Sequence, residues 1–222
     1  VPRGAGSGLA GGCTPVQGGI VLDMKRMNRI IDIDRRNMTA NVECGVVLDN
    51  FNKALAKERL FYPPDPQSMS VCTLGGNIAT RAGGPRGVKY GTTERYVTGL
   101  EVVLPDGSVV SPGGKVIKQS SGYDLTHLMT GSEGTLGVIT SAHLRILPMP
   151  SAKRTVVVTC STVDQAAEIV SGIIAEGAVP AMLEFLPKLA ITVLNSYLKP
   201  PLPLLGDAYL FMELDGSASQ VE

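Results

Sequence analysis

Arg3-Gly4-Ala5-Gly6-Ser7-Gly8-Leu9-Ala10-Gly11-Gly12 places five glycines within ten residues. Without Cβ atoms a backbone can turn successive N–H groups inward and come close to a diphosphate, so the run is a candidate anion nest. The residues after it narrow the choice. No Lys-Ser/Thr comes after the last glycine, which disfavours a Walker A loop. A Rossmann fingerprint needs a helix directly after its glycines, whereas here Cys13-Thr14-Pro15 and Gly18-Gly19 lead into the β-branched stretch Ile20 to Met24, read as a strand.

Two further glycine clusters lie downstream. Pro63-Pro64-Asp65-Pro66-Gln67-Ser68 precedes Thr73-Leu74-Gly75-Gly76-Asn77-Ile78-Ala79-Thr80-Arg81-Ala82-Gly83-Gly84, and Lys89-Tyr90-Gly91 comes next. Prolines set a rigid approach, while paired glycines and alanines leave room for a flat ring against the backbone. The third cluster, Thr130-Gly131-Ser132-Glu133-Gly134-Thr135-Leu136-Gly137-Val138-Ile139, feeds glycines into a strand.

Between the clusters the chain mixes strand and helix. Arg29 to Ile33 is β-branched, and in Thr39 to Cys44 the residues Ala40, Val42 and Cys44 alternate with polar ones at the period of a half-buried strand. Leu48, Phe51 and Leu55 fall on one helical face, predicting a helix that closes near Leu60. Pro105-Asp106-Gly107 between Leu100–Leu104 and Ser108–Ser111 predicts a hairpin, and Ala142, Leu144 and Ile146 alternate in another strand. Pro148-Met149-Pro150 reads as a linker, dividing a first domain, 1–148, from a second, 151–222. The second is predicted as β-α-α-β: a strand over Thr155–Thr159, a helix carrying Ala166, Ile169, Val170, Ile173 and Ile174, a helix over Leu186–Tyr197, and a strand over Ala208–Leu214. Thr162 with Gln165 forms a candidate capping box and Gly177 a stop. Two strands cannot cover both helices, so this domain is expected to be incomplete.

Taken together, the three glycine clusters resemble the FAD-binding (PCMH-type) domain of the vanillyl-alcohol oxidase family, in the branch that holds glycolate oxidase flavin subunits, D-lactate dehydrogenases and D-2-hydroxyglutarate dehydrogenases. The resemblance implies an α+β fold: a two-subdomain FAD-binding region followed by a partial ferredoxin-like cap. It implies that Arg3, Gly4, Ala5, Gly6, Ser7, Gly8 and Leu9 hold the FAD pyrophosphate. Pro64, Asp65, Ser68, Gly75, Gly76, Asn77, Ala79, Gly83 and Gly84 would line the isoalloxazine and ribityl chain. Glu133, Gly134, Gly137, Val138 and Ile139 would pack along the adenosine and diphosphate. Covalent members carry a histidine in the first loop, where this chain has Ser7, so non-covalent FAD is expected. The implied reaction is oxidation of a D-2-hydroxy acid such as glycolate, D-lactate or D-2-hydroxyglutarate by hydride transfer to flavin N5; the alternative is an FAD-binding module of a related flavoenzyme acting on a sugar lactone or an ether-lipid precursor, inactive as this chain. The family's upstream strand-helix-strand unit and its catalytic histidines are expected to lie outside this chain.

Other features exclude or qualify. Twenty Lys plus Arg balance twenty Asp plus Glu, leaving no field to attract nucleic acid. No apolar run approaches the ~20 residues of a membrane span. Cys13, Cys44, Cys72 and Cys160 have no C-x-x-C spacing, which argues against a zinc site, a disulfide framework or a cluster held by this chain itself. A cytoplasmic protein is expected, peripheral to a membrane only through partners, with an iron–sulfur or other electron-accepting subunit and homo-oligomerisation as candidate associations. His127 and His143 read as packing or solvated residues, Cys44 and Cys72 as small buried hydrophobes. Lys89 and Arg81 read equally well as cations for a reduced flavin or a substrate carboxylate and as members of ion pairs.

Overall fold

The computed structural model describes all 222 residues, Val1–Glu222, and falls into two compact units. The first comprises Val1–Gly84 with Gly91–Met149, the second Pro85–Tyr90 with Pro150–Glu222.

The first unit opens with β1 (Pro2–Arg3), which pairs in parallel with β2 (Leu22–Asp23). The strand expected over Ile20 to Met24 is only these two residues, because Asp23 caps a 3-10 turn at Met24–Arg26 by accepting from the Lys25 N–H. Next come β3 (Ile30–Asp34), β4 (Thr39–Glu43) and α1 (Leu48–Ala56), then β5 (Leu60–Phe61), α2 (Leu74–Ala79) and the short α3 (Gly87–Tyr90), which belongs to the second unit. α1 stops four residues before Leu60, which is needed in β5. The unit continues with β6 (Val97–Val103), β7 (Val109–Val110), α4 (Leu125–Met129), β8 (Val138–Arg145) and β9 (Leu147–Pro148).

Its main sheet has the order β3-β4-β8-β6-β7, antiparallel throughout. Register explains its core. Ala40 faces Leu144, Val42 faces Ala142, and Ala142 faces Leu100, so one side of the sheet is apolar and closed to solvent. Each Leu or Val buried there contributes about 1.5–3 kcal/mol. α2 packs on β8, and α1 on β5. Tyr62 packs between Phe51, tilted at 57°, and Tyr96, edge-on at 68°, with ring centroids 5.6 and 5.5 Å away.

The opposite side departs from simple alternation, since Thr39 and Glu43 are also buried. β4 lies inside the sheet, and Arg29 covers its end: Glu43 accepts from the Arg29 N–H at 2.7 Å and from its guanidinium at 2.8 and 3.0 Å. The hairpin at Pro105-Asp106-Gly107 forms with Gly107 at φ +85° and the Leu104 N–H donating to the Ser108 carbonyl. Pro148, expected to be free linker, pairs with Leu60 in β9. A proline can sit there because β5·β9 is a two-residue ladder that does not need its missing N–H.

In the second unit β10 (Ala152–Cys160), α5 (Val163–Ala175), β11 (Met182–Pro187), α6 (Lys188–Leu194), β12 (Ala208–Gly216) and α7 (Ala218–Val221) succeed one another along the chain. The sheet is antiparallel in the order β10-β12-β11. The expected β-α-α-β is therefore β-α-β-α-β: Met182–Pro187 is a strand, and the helix placed over Leu186–Tyr197 is confined to Lys188–Leu194, starting behind Pro187. Thr162 caps α5 by accepting from the Gln165 N–H at 3.1 Å. The Gln165 side chain accepts from Ser161 rather than Thr162, and Gly177 ends the helix at φ +79°. Ala166, Ile169 and Val170 pack on Val158, Cys160 and Leu210, while Ile174, Leu189 and Leu194 stay exposed.

Residues 85–90 are tied to β12 by charge. Lys89 Nζ donates to the Asp215 carbonyl at 2.8 Å and pairs with its carboxylate, and the Tyr90 hydroxyl donates to the same carboxylate at 2.7 Å. Arg86 and Lys153 lie 3.6 and 3.3 Å from Glu213. Lys89 is thus engaged inside its own unit.

Glu43 supplies a pH test of the first unit. Its bonds from the Arg29 guanidinium and then the Arg29 N–H hold its carboxyl below the ordinary value of 4.5. A lowered folded pKa means stability that is complete above pH 4.5 and lost as pH falls through the folded value. Urea unfolding across that acid range should show the loss in the native chain and a flatter dependence in Glu43→Gln.

Candidate functional site

A cleft of about 450 Å³ opens in the first unit. One wall is the loop from Pro2 to Cys13; the others are Met24 and Cys44, the segment from Pro66 to Ala82 around α2, and Glu133 to Ile139 leading into β8.

Two close backbone approaches shape it. The Gly75 N–H donates to the Cys44 carbonyl at 2.7 Å, and a Cβ on Gly75 would lie 2.5 Å from Cys44 Cβ. A Cβ on Gly4 would collide with the Thr73 hydroxyl. α2 can therefore sit against the end of β4, and the first loop against α2, only because both positions lack side chains.

Most residues singled out from sequence converge here. Arg3, Gly4, Ala5, Gly6, Ser7, Gly8 and Leu9 line the cleft, as do Ser68, Gly75, Gly76, Asn77 and Ala79, and Glu133, Gly134, Gly137 and Ile139. Pro64, Asp65, Gly83, Gly84 and Val138 do not. Val138 precedes Ile139 in β8, and neighbouring strand residues face opposite sides. Pro64 is buried behind the wall, and Gly84 packs so closely on Asp65 that a Cβ would strike its carbonyl. Gly83 lies against Thr92.

The structure adds Pro2, Ala10 to Cys13, Met24, Cys44, Pro66, Cys72, Thr73, Thr80 and Ala82 to the lining. Thr73 and Gly11-Gly12 stand in the glycine motifs and were legible from them. Cys44 carries no such signal, being the end of an ordinary strand. Burial pushes its thiol up to about 11, so it is a neutral wall residue.

The electrostatics of the cleft are lopsided. No backbone N–H from Gly4 to Cys13 donates within the protein. Arg3 is the cleft's single cation; its guanidinium lies over Gly6 and within electrostatic reach of Asp23, and no hydrogen bond fixes it. Unpaired N–H groups and such a guanidinium suit an anion. The single carboxylate is Glu133, beside Gly12. Elsewhere Met24, Ala79, Ala82 and Ile139 offer apolar surface. A diphosphate joined to flat rings fits this set.

Neither histidine lines the cleft. His127 Nδ1 bonds Asp124 at 2.6 Å on α4, and His143 lies in β8, where burial pushes its pKa below the usual value.

Comparison with known proteins bears on what such a cleft serves. The FAD binding domain family matches residues 1–113, and the family described as FAD linked oxidases, C-terminal domain, matches 149–222. The chain belongs to the PCMH-type FAD-linked oxidase family. It is 48% identical over its whole length to the glycolate oxidase subunit GlcD of Bacillus subtilis (strain 168), of which it spans 47%. It is 37% identical over 99% of its length to a D-lactate dehydrogenase of Anaerostipes hadrus, again spanning 47%. The chain thus covers about half the length of these curated relatives. Among solved structures, an alkyldihydroxyacetonephosphate synthase in P212121 superposes with a TM-score of 0.84 at 26% identity, covering all of this chain and 43% of that one.

Within this FAD-linked oxidase fold Arg81 acts as a staple. Its Nε donates to the Thr130 carbonyl at 2.9 Å and its terminal nitrogen to the His127 carbonyl at 3.1 Å, with Glu94 3.5 Å away. Beside it, the Gly131 and Glu133 N–H groups donate to the Ile78 and Ala79 carbonyls at 2.9 and 3.0 Å. Arg81 therefore holds the turn that presents Glu133 and Gly134 to the cleft, and is committed to neighbours rather than to a ligand. Arg81→Ala should accelerate amide hydrogen exchange at Gly131 and Glu133 several-fold while the β4 and β8 amides keep their protection.

Proposed function

We propose that this chain is the FAD-holding part of an oxidoreductase that oxidises a D-2-hydroxy acid of the glycolate, D-lactate or D-2-hydroxyglutarate class. The observation that carries the reading is the run of unpaired N–H groups from Gly4 to Cys13 together with Arg3, the single cation, in a glycine-walled cleft. When bound, FAD supplies a two-electron acceptor. Loop N–H groups and Arg3 neutralise the diphosphate, and Gly75, Gly76 and Ala79 leave the wall flat enough for a ring. Glu133, beside Gly12, accepts from hydroxyls of the ribose. The hydroxy-acid assignment rests on the names of the relatives at 48% and 37% identity rather than on the synthase at 26%.

FAD is held without a covalent bond in this reading, because Ser7 stands in the loop and no histidine reaches the cleft. An electron-accepting partner subunit is part of the proposal, in keeping with the relative named as an oxidase subunit. No helix is long and apolar enough to cross a membrane.

Gly8 offers a clean test, since a Cβ there meets nothing within 4 Å and the fold has no reason to object. Native chain should bind FAD in a one-to-one ratio and release all of it on acid precipitation. Gly8→Val should lose the flavin while keeping its far-ultraviolet circular dichroism; stoichiometric FAD in this variant removes the loop assignment.

A base and a carboxylate clamp within hydrogen-bond reach are required for the chemical step. The cleft supplies neither, its carboxylate lying at the glycine loop. Anaerobic mixing of the FAD-loaded chain with glycolate, D-lactate or D-2-hydroxyglutarate should therefore leave the oxidised flavin band intact. Saturable bleaching by any of the three would place the catalytic groups in this chain.

A further inference from the structure

Asn77 and Cys72 are buried parts of the cleft wall, 4% and 3% exposed respectively. The Asn77 Nδ2 donates to Cys72 Sγ at 3.4 Å, and its Oδ1 has no partner in the protein. The little surface Asn77 keeps opens on the cleft. An amide carbonyl left free at a cleft wall is open to a donor from a ligand.

Both residues are fixed in the main chain. The Asn77 N–H donates to the Thr73 carbonyl at 3.0 Å, and its own carbonyl accepts from Ala82 at 2.9 Å. The Cys72 N–H donates to Ser68 at 2.8 Å, and its carbonyl accepts from Leu48 at 3.0 Å. What stays free is rotation of the amide, which exchanges its oxygen and nitrogen. In the structure Cys72 Sγ accepts from Nδ2 rather than donating its own S–H to Oδ1, and the oxygen is left without a protein partner. The surrounding cleft makes this orientation valuable. Arg3 and the loop N–H groups are all donors, so an N–H or O–H on the ligand has few acceptors to meet.

We propose that Cys72 is a positioning residue: its sulfur retains the Asn77 nitrogen in the wall, so that Oδ1 faces the cleft and accepts from an N–H or O–H of the flavin or its ribityl chain. The proposal rests on the FAD reading above. Serine at 72 keeps an acceptor for the amide, whereas alanine removes it and lets the amide turn its donors outward.

The experiment measures FAD dissociation constants, the visible flavin spectrum and the Asn77 side-chain 1H–15N resonances in the native chain, Cys72→Ser, Cys72→Ala, Asn77→Ala and the double alanine variant. Cys72→Ala should weaken FAD about tenfold, the worth of one hydrogen bond, and shift the flavin band. Cys72→Ser should stay near native, and Cys72→Ala should cost nothing further once Asn77 is alanine. In the flavin-free protein one Asn77 amide proton should be protected from exchange, and that protection should vanish in Cys72→Ala. Equal losses from Cys72→Ala with and without Asn77, or unchanged Asn77 resonances, overturn the positioning role while leaving FAD binding in place. Failure of the native chain to bind FAD removes the FAD reading itself, and the ligand half of this proposal with it.

Discussion

The bond from the Gly75 N–H to the Cys44 carbonyl, 2.7 Å long, is the joint on which the first unit turns. It is one of a set: Leu74 donates to Val46 at 2.9 Å, Leu48 donates to Cys72 at 3.0 Å, and Val47 bridges Thr73. Together they bring the start of α2 against the end of β4 and set the start of α1 beside Cys72. The joint tolerates no side chain at 75. Once it is made, Thr73 faces Gly4, which seats the first loop, and the far end of α2 receives the Gly131 and Glu133 amides, which seats the third. All three walls of the cleft thus refer to one helix of six residues.

That dependence explains the distribution of polar groups. The sheet and α1 satisfy their own backbone, whereas no ladder forms in the loop from Gly4 to Cys13 and its donors stay unmatched, as they do over residues 115–124 outside the cleft. Such donors are inexpensive while water reaches them and become strong when an anion displaces it. Arg3 stands in the same place, within electrostatic reach of Asp23 but not bonded to it. By contrast Arg81 and Lys89, which looked equally suited to hold an anion, are absorbed by backbone carbonyls and by Asp215. A cation is available to a ligand only if its own fold leaves it unpaired.

The second unit is organised differently. Its three-stranded sheet buries one side of α5, while α6 leaves Leu189 and Val193 exposed, and β12 is braced by the Lys89–Asp215 and Lys153–Glu213 pairs. Residues 85–90 come from the middle of the glycine-motif sequence yet are part of this unit. Their charges, not apolar burial, hold them there, which is why hydropathy gave no hint of the allegiance.

Local rules decided much from the sequence. The alternation of Ala40, Val42, Ala142 and Leu144, the helical face of Leu48, Phe51 and Leu55, the Gly107 reversal and the Thr162 cap each rest on interactions among near neighbours. The glycine clusters pointed to the cleft because an absent side chain is visible in sequence as directly as in space. What only tertiary structure decided were partners distant in the chain. Leu60 leaves a helix to pair with Pro148, Met182–Pro187 becomes a strand because β12 offers it an edge, and Cys44 lines the cleft because Gly75 docks on it. Thr39 and Glu43 are buried by neighbours that alternation within β4 cannot reveal. Period and propensity report which side of an element is apolar; they carry no information about what will be laid against it.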